Sequence, residues 1–134
     1  IAETGHLVFA TLHTNSAAQT MDRIVDVFPE HQQAQVRMQF SLTLEAILSQ
    51  RLLPSLDGGR IPACEILVST PAVRTAIREG KTHLVDNIIQ TSVELGMKTM
   101  EMDLLRLVKA GKISLEVAQA FALRPEELAR LSKK

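Results

Sequence analysis

Residues 5–16 read GHLVFATLHTNS, and the two halves of this stretch differ in character. The first half is apolar on both faces of a two-residue repeat, which predicts a buried central strand of a parallel sheet. The second half is polar, and ligands of open α/β sheets bind beyond the carboxyl ends of the strands. The stretch therefore predicts a strand of Leu7, Val8, Phe9, Ala10 and Leu12, with a site at Thr11, His13, Thr14, Asn15 and Ser16.

The polar half has two interpretations that the residues alone leave open. Thr14, Asn15 and Ser16 are residue types that commonly cap helices, so they fit the start of the following helix as well as a ligand site. His13 is either a structural histidine or a ligand contact at the end of the strand.

Composition excludes several classes of protein. The chain has 134 residues, 46% of them hydrophobic, and its 15 basic and 15 acidic residues balance, which argues against nucleic-acid binding. No apolar run approaches the roughly 18 residues of a membrane span, and no signal peptide is evident. Cys64 is the single cysteine, so no internal disulfide forms, and we expect a soluble cytosolic protein. Because the chain opens on Ile1 without a methionine, we expect it to belong to a longer protein.

Turn and capping residues divide the rest of the chain. Helical spacing predicts helices from Ser16 to Asp26 and from Glu30 to about Leu48, and Asp57-Gly58-Gly59 predicts a hairpin between strands 50–53 and 60–68. From Thr70 onward, cap residues and glycines alternate. They predict five helices: Thr70–Glu79, Thr82–Leu95, Thr99–Ala110, one capped by Ser114 and one starting at Pro125.

Common catalytic and metal motifs do not fit. His6 and His13 would lie roughly 23 Å apart on a strand, at about 3.3 Å per residue, so they cannot share a metal ion. Gly80-Lys81-Thr82 imitates the end of a P-loop but lacks the earlier glycine and the preceding strand. The sequence therefore predicts no metal site in this chain.

Three cations recur at helical spacing after Thr70. Arg74, Arg78 and Lys81 are four and three residues apart, which places them on one face of the predicted helix 70–79. Such a stripe is either a solvated surface or a docking site for an acidic partner.

Three segments together resemble the C-terminal ATPase domain of PilT-type retraction motors of type IV pili. They are GHLVFATLHTNSAAQTMDRIVDVFP, SQRLLP and GGRIPACEILVSTPAVRTAIREGK. The resemblance covers nearly the whole chain and implies an α/β fold: the C-terminal half of a RecA-like P-loop NTPase core at residues 1–69, then a helical subdomain at 70–134. A four-cysteine insert typical of related extension and secretion motors is absent, which favours the retraction branch without zinc.

The resemblance also implies roles for individual residues. GHLVFATLHT is similar to the family's histidine box, which implies that His13 is catalytic and binds nucleotide phosphate with Thr11, Thr14 and His6. PAVRTAIRE is similar to the family's signature helix. That similarity implies that Arg74 and Arg78 transmit motion or dock a partner.

The family's P-loop, acidic box and Walker B carboxylates have no counterpart in this chain. We therefore expect a fragment that neither hydrolyses ATP nor binds it tightly alone, and that exposes apolar surface. The resemblance implies a full-length protein that uses ATP and Mg²⁺, assembles as a homo-hexamer and pulls an inner-membrane platform protein of the pilus. It would be cytoplasmic, held at the membrane through partners and not inserted. The alternative is a stand-alone, non-enzymatic interaction module with a basic docking helix.

Overall fold

The computed structural model describes all residues from 1 to 134. Seven α-helices and one two-stranded sheet form the chain, with short 3₁₀ turns at Ala2–Thr4, Thr82–Leu84 and Val93–Leu95. No helix is both long enough and apolar enough to cross a bilayer. The elements are α1 (Ala17–Asp26), α2 (Glu30–Thr43), β1 (Ala46–Pro54), β2 (Arg60–Val68), α3 (Pro71–Arg78), α4 (Val85–Thr91), α5 (Met100–Lys109), α6 (Leu115–Phe121) and α7 (Pro125–Ser132).

The predicted hairpin is confirmed, with strands longer than the sequence indicated. β1 and β2 pair antiparallel from Ala46 opposite Val68 to Pro54 opposite Arg60. Gly58 and Gly59 have φ values of 85° and 73°, the left-handed conformation that glycine adopts without strain. The prediction that α2 continues through residues 44–48 is wrong. It ends at Thr43, because the residues after it alternate inward and outward as a strand requires.

Helix starts follow the predicted caps. Ser16, Thr70, Thr99 and Ser114 each accept a hydrogen bond from a backbone N–H in the first turn of the helix that follows. The single helix predicted for Thr82–Leu95 is wrong, since two 3₁₀ turns flank α4. Ser92 leaves the helical conformation at φ −123° and ψ 34°, and the Thr91 hydroxyl donates to Asn87 O at 2.9 Å.

Two hydrophobic clusters stabilise the fold. The first packs α1 and α3 and α4 against one end of the hairpin, and the second packs α5, α6 and α7 against the other end. Both clusters combine residues from before and after position 69, and the division into 1–69 and 70–134 stays a prediction. Their largest fully buried side chains include Met21, Leu67, Ile77, Ile89, Met97, Leu53, Met100, Leu104, Leu107 and Ile113.

The buried strand predicted for residues 7–12 is wrong in this structure. The segment forms no strand, and Leu7 and Phe9 are 78% and 88% exposed. The sheet contains only β1 and β2, so no neighbouring strand is present to pair with this segment or to cover its side chains. A strand gains its stability from such pairing and burial.

Candidate functional site

His13 lies in the loop that leads into α1. Its side chain and that of Thr11 are exposed, so both are accessible to solvent. Thr14 is half-buried, and its hydroxyl lies 2.6 Å from the Thr20 hydroxyl, which itself donates to Ser16 O at 2.8 Å. Because the Thr20 proton is used in that second bond, Thr14 is the donor to Thr20. Thr14 therefore anchors the loop and leaves His13 free.

The first turn of α1 uses its own polar groups locally. Gln19 N–H donates to Ser16 Oγ at 3.2 Å, and Asn15 N–H donates to Gln19 Oε1 at 2.7 Å. Ala17 N–H donates to Glu65 Oε1 at 2.9 Å. Ser16 is therefore a helix cap, and the Ala17 N–H is already bonded to the Glu65 carboxylate, so it is not available to a ligand.

His6 lies apart from that loop. Its Nδ1 is 2.9 Å from Thr4 Oγ1, and the Thr4 hydroxyl donates to Ile1 O at 2.7 Å. The Thr4 proton is therefore committed to Ile1, which assigns the His6 proton to Nδ1. The structure links His6 to the N-terminal 3₁₀ turn and forms no hydrogen bond between His6 and the other predicted site residues.

Only two of the three cations in the basic stripe after Thr70 lie on helix α3. Arg74 is half-buried and donates from Nε to Ser69 Oγ at 3.3 Å, whereas Arg78 is exposed and donates to Thr75 Oγ1 at 3.3 Å. Placing Lys81 on the same helical face is wrong, because α3 ends at Arg78 and Gly80 turns the chain at φ 68°. Lys81 instead binds Glu79 at 2.8 Å, and this hydrogen bond lowers the pKa of Glu79.

A buried ionic cluster centred on Arg124 was not predicted. Arg124 Nη1 lies 2.7 Å from Glu101 Oε2, and Nη2 lies 3.0 Å from Glu65 Oε2 and 2.8 Å from Asp86 Oδ1. The Arg124 backbone N–H also donates to Glu101 Oε1 at 2.7 Å. Glu127 Oε2 stands 3.6 Å from Nη1, too far for a hydrogen bond. One cation thus meets four carboxyl groups from β2, α4, α5 and α7.

The charge imbalance in this cluster changes the pKa of two groups. Burial lowers the pKa of Arg124, but the hydrogen bonds that it donates to Asp86 and Glu65 outweigh burial and raise the pKa above its ordinary value. Burial raises the pKa of Glu127, and the neighbouring charge of Glu101 raises it further. Glu127 Oε2 is buried without a hydrogen-bond partner, as expected of a carboxyl group that lacks a committed cation.

A second ion pair cluster surrounds Asp103, which is buried on α5. Its Oδ2 accepts from Cys64 N–H at 2.8 Å, and its Oδ1 lies 2.8 Å from Lys98 Nζ and 2.7 Å from Arg106 Nε. Although burial raises the pKa of Asp103, the hydrogen bonds from Arg106 and Lys98 lower it below its ordinary value. These contacts hold β2 against α5.

The sequence did carry a signal for the Arg124 cluster. Glu65 alternates inward with Ala63 and Leu67 on β2, which places a carboxylate on the buried face of a strand. An acid at a core position requires a buried partner. The pattern thus indicates that a partner exists, and only the tertiary structure identifies it as Arg124.

Comparisons with known proteins match this chain to bacterial secretion and pilus ATPases. The family described as "Type II/IV secretion system protein" matches residues 1–58. PilT of Pseudomonas aeruginosa, a type IV pilus retraction ATPase, is 51% identical over 93% of this chain and 36% of its own length. The twitching motility protein of Neisseria gonorrhoeae is 48% identical over 95% of this chain and 34% of its own length.

A solved structure gives the same result. The crystal structure of the pilus retraction motor PilT with bound ADP superposes with a TM-score of 0.85 at 48% identity, covering 96% of this chain and 36% of that one. The chain is PilT-like along nearly its whole length. The predicted resemblance is therefore confirmed, and so is the α/β fold class, which corresponds to the C-terminal part of the PilT structure. The PilT-like chain spans about a third of the length of its curated relatives.

Proposed function

We propose that this PilT-like chain is a fragment of a hexameric ATP-driven motor that retracts type IV pili. The observation that carries the proposal is the match of nearly the whole chain to PilT, at 51% identity in sequence and a TM-score of 0.85 in structure. In the full-length protein, hydrolysis of ATP between subunits changes their orientation and pulls a platform protein of the inner membrane. The motor works in the cytoplasm, at the inner face of the membrane through that partner.

Within the motor, His13 acts on the phosphates of ATP. The exposed imidazole forms no hydrogen bond inside the chain, while Thr14 holds the loop through Thr20 at 2.6 Å. Thr11 and Thr14 position the phosphate contact, and His6 supports the same nucleotide from its own segment. A neutral or charged imidazole at this place donates a hydrogen bond to a phosphate oxygen and stabilises charge that develops during phosphoryl transfer.

ATP and Mg²⁺ belong to the full-length protein in this proposal. ATP supplies the phosphoanhydride bond whose hydrolysis drives the motor. The exposed loop at His13 offers its imidazole to a phosphate group, whereas no group of three His, Cys, Asp or Glu side chains is arranged to hold a metal ion. We therefore assign no Mg²⁺ ligand to this chain, and we expect the isolated chain not to hydrolyse ATP.

Residues 1–69 complete a RecA-like core in this proposal, and residues 70–134 form a helical subdomain. Arg74 and Arg78 on α3 transmit motion or dock the partner. Arg78 suits that role because its guanidinium is exposed and its one hydrogen bond, to Thr75 at 3.3 Å, is long.

A matched pair of histidine variants tests the role of His13 in the full-length protein. His13→Ala is expected to abolish ATP turnover while circular dichroism and hexamer size stay unchanged, because the side chain is exposed. His83→Ala removes another exposed histidine, from a 3₁₀ turn, and is expected to leave turnover unchanged. Normal turnover in His13→Ala would show that His13 is not part of the nucleotide site. Saturable ATP turnover by the isolated chain would overturn the proposal that hydrolysis needs residues outside this chain.

A further inference from the structure

Helix α5 has a buried apolar face and an outer face that combines apolar with basic side chains. Its outer face forms a groove of about 320 Å³ with α7, lined by Met102, Leu105, Arg106 and Lys109 of α5 and by Leu131 of α7. The four α5 residues are spaced as neighbours on one helical face. The opposite, buried face carries Met100, Leu104 and Leu107.

The surface around this groove is cationic although the whole chain is neutral. Three of the four acids of α5 and α7 are buried: Glu101 and Glu127 join the Arg124 cluster, and Asp103 binds Lys98 and Arg106. Glu126 is the one exposed acid on the two helices. The exposed cations on α5, on α7 and just after it are Arg106, Lys109, Arg130, Lys133 and Lys134.

The two cations in the groove are available to a partner. Lys109 is exposed and takes part in none of the ion pairs. Arg106 contacts Asp103 only through Nε, at 2.7 Å, and its side chain is 60% exposed. The terminal nitrogens of Arg106 therefore remain free for a second carboxylate.

We propose that the groove between α5 and α7 binds an acidic amphipathic helix of a partner protein. The apolar wall of Met102, Leu105 and Leu131 takes the partner's apolar face, and Arg106 and Lys109 meet its carboxylates. Charge complementarity selects an acidic partner and excludes a basic one. A groove of about 320 Å³ takes a few apolar side chains from one face of a helix, whereas a flat anionic membrane would not reach the half-buried Leu105 and Leu131.

The test is a titration of the full-length protein with a fluorescent synthetic helix that carries leucines on one face and glutamates beside them. We expect saturable binding that weakens with added salt, and no binding of the same peptide with lysine in place of glutamate. Lys109→Glu is expected to weaken binding at least about fivefold, because it replaces an attraction with a repulsion. The variant leaves folding unchanged, since Lys109 is exposed and forms no ion pair.

Lys112→Glu is the control, because Lys112 is also exposed but lies outside the groove, and its one ion pair, with Asp57 at 3.9 Å, is long and exposed. Unchanged binding in this variant supports the groove. Equal weakening in both variants would mean general electrostatic attraction and would overturn the proposal. Absence of saturable binding would overturn it too, as would stronger binding to phosphatidylglycerol vesicles that the peptide does not displace.

Discussion

The guanidinium of Arg124 lies 3.0 Å from the carboxylate of Glu65, across 59 residues of sequence. The other oxygen of that carboxylate accepts the Ala17 N–H at 2.9 Å. Ala17 belongs to the first hydrophobic cluster, and Arg124 lies between α6 and α7 of the second. This pair therefore connects the two clusters through the middle of β2.

Removing the Arg124 guanidinium should strongly destabilise the chain. Arg124→Met leaves Glu65 and Glu101 buried without their cation, and breaking a buried ion pair in this way costs about 3–5 kcal/mol. Urea unfolding followed by circular dichroism measures the free energy of unfolding. Arg130→Met is the control, because Arg130 is exposed and bonds only Gln90 at 3.2 Å. A loss below about 1 kcal/mol for Arg124→Met would contradict the structure.

Stability should fall as pH rises, through Glu127. Burial and the nearby Glu101 raise the pKa of Glu127 in the folded state above the value of 4.5 that it has when unfolded. The folded state therefore holds this proton more tightly. The contribution of Glu127 to the free energy of unfolding is full below pH 4.5 and is lost as pH rises through the pKa of the folded state. Glu127→Gln keeps the shape without the charge and should remove this part of the pH dependence.

The neighbouring Glu126 provides the comparison for that experiment. Glu126 is exposed on the same helix, so Glu126→Gln makes the same substitution next to Glu127 without entering the buried cluster and is the matched control. Asp103 acts in the opposite direction, since its lowered pKa adds stability that is lost only as pH falls below 3.8. Unfolding by urea at a series of pH values separates the two effects, and identical curves for Glu127→Gln and the parent would refute the role of Glu127.

The cap of α3 should contribute measurably to stability. Val73 N–H donates to Thr70 Oγ1 at 3.4 Å, and Thr70→Ala removes that acceptor. The loss expected for an N-cap is about 1 kcal/mol. Thr70→Ser keeps the hydroxyl and should restore most of it in thermal unfolding. Equal melting temperatures for the alanine and serine variants would show that the cap bond contributes nothing.

Local chemistry explains which parts of the fold were predictable. Ser16, Thr70, Thr99 and Ser114 were identified as caps or cap candidates because a cap and its helix lie within three residues. The hairpin was predictable for the same reason, since Gly58 and Gly59 mark its turn. At the boundary between α2 and β1, the apolar residues 44, 47 and 48 fit the spacing of a helix as well as that of a strand. Pairing with β2 makes residues 46–54 a strand.

Long-range contacts explain what the sequence did not predict. Nothing near Arg124 indicates Glu65, because the two meet only after β2, α5 and α7 have packed. The apolar residues of 7–12 have the pattern of a buried strand, yet a strand also needs a neighbour, and β1 and β2 pair only with each other. The candidate site at His13 was found from its position after that pattern, and its role stays a prediction.

Arg78 should affect retraction without affecting ATP turnover. The side chain is exposed on α3 and bonds only Thr75, so Arg78→Ala in the full-length protein should leave folding and hydrolysis unchanged. If Arg78 transmits motion or docks a partner, pilus retraction in cells should decrease severalfold. Lys81→Ala is the control, because Lys81 follows α3 and pairs with Glu79. Equal losses in both variants, or a loss of ATP turnover in Arg78→Ala, would contradict this role.

The exposed apolar segment before His13 should make the isolated chain self-associate. Phe9 is 88% exposed and follows the exposed Leu7 and Val8, and the three side chains form an apolar patch without a partner in this chain. Phe9→Ser should therefore lower the concentration-dependent mass measured by sedimentation velocity, with no change in the free energy of unfolding. Leu115→Ser removes an exposed apolar side chain on α6 and serves as the control. The proposed RecA-like core predicts that further strands cover this segment in the full-length protein, where Phe9→Ser should therefore lower stability instead. A parent chain that stays monomeric would contradict this prediction. Equal association of the two variants would show that residues 7–12 are not the surface through which the chain self-associates.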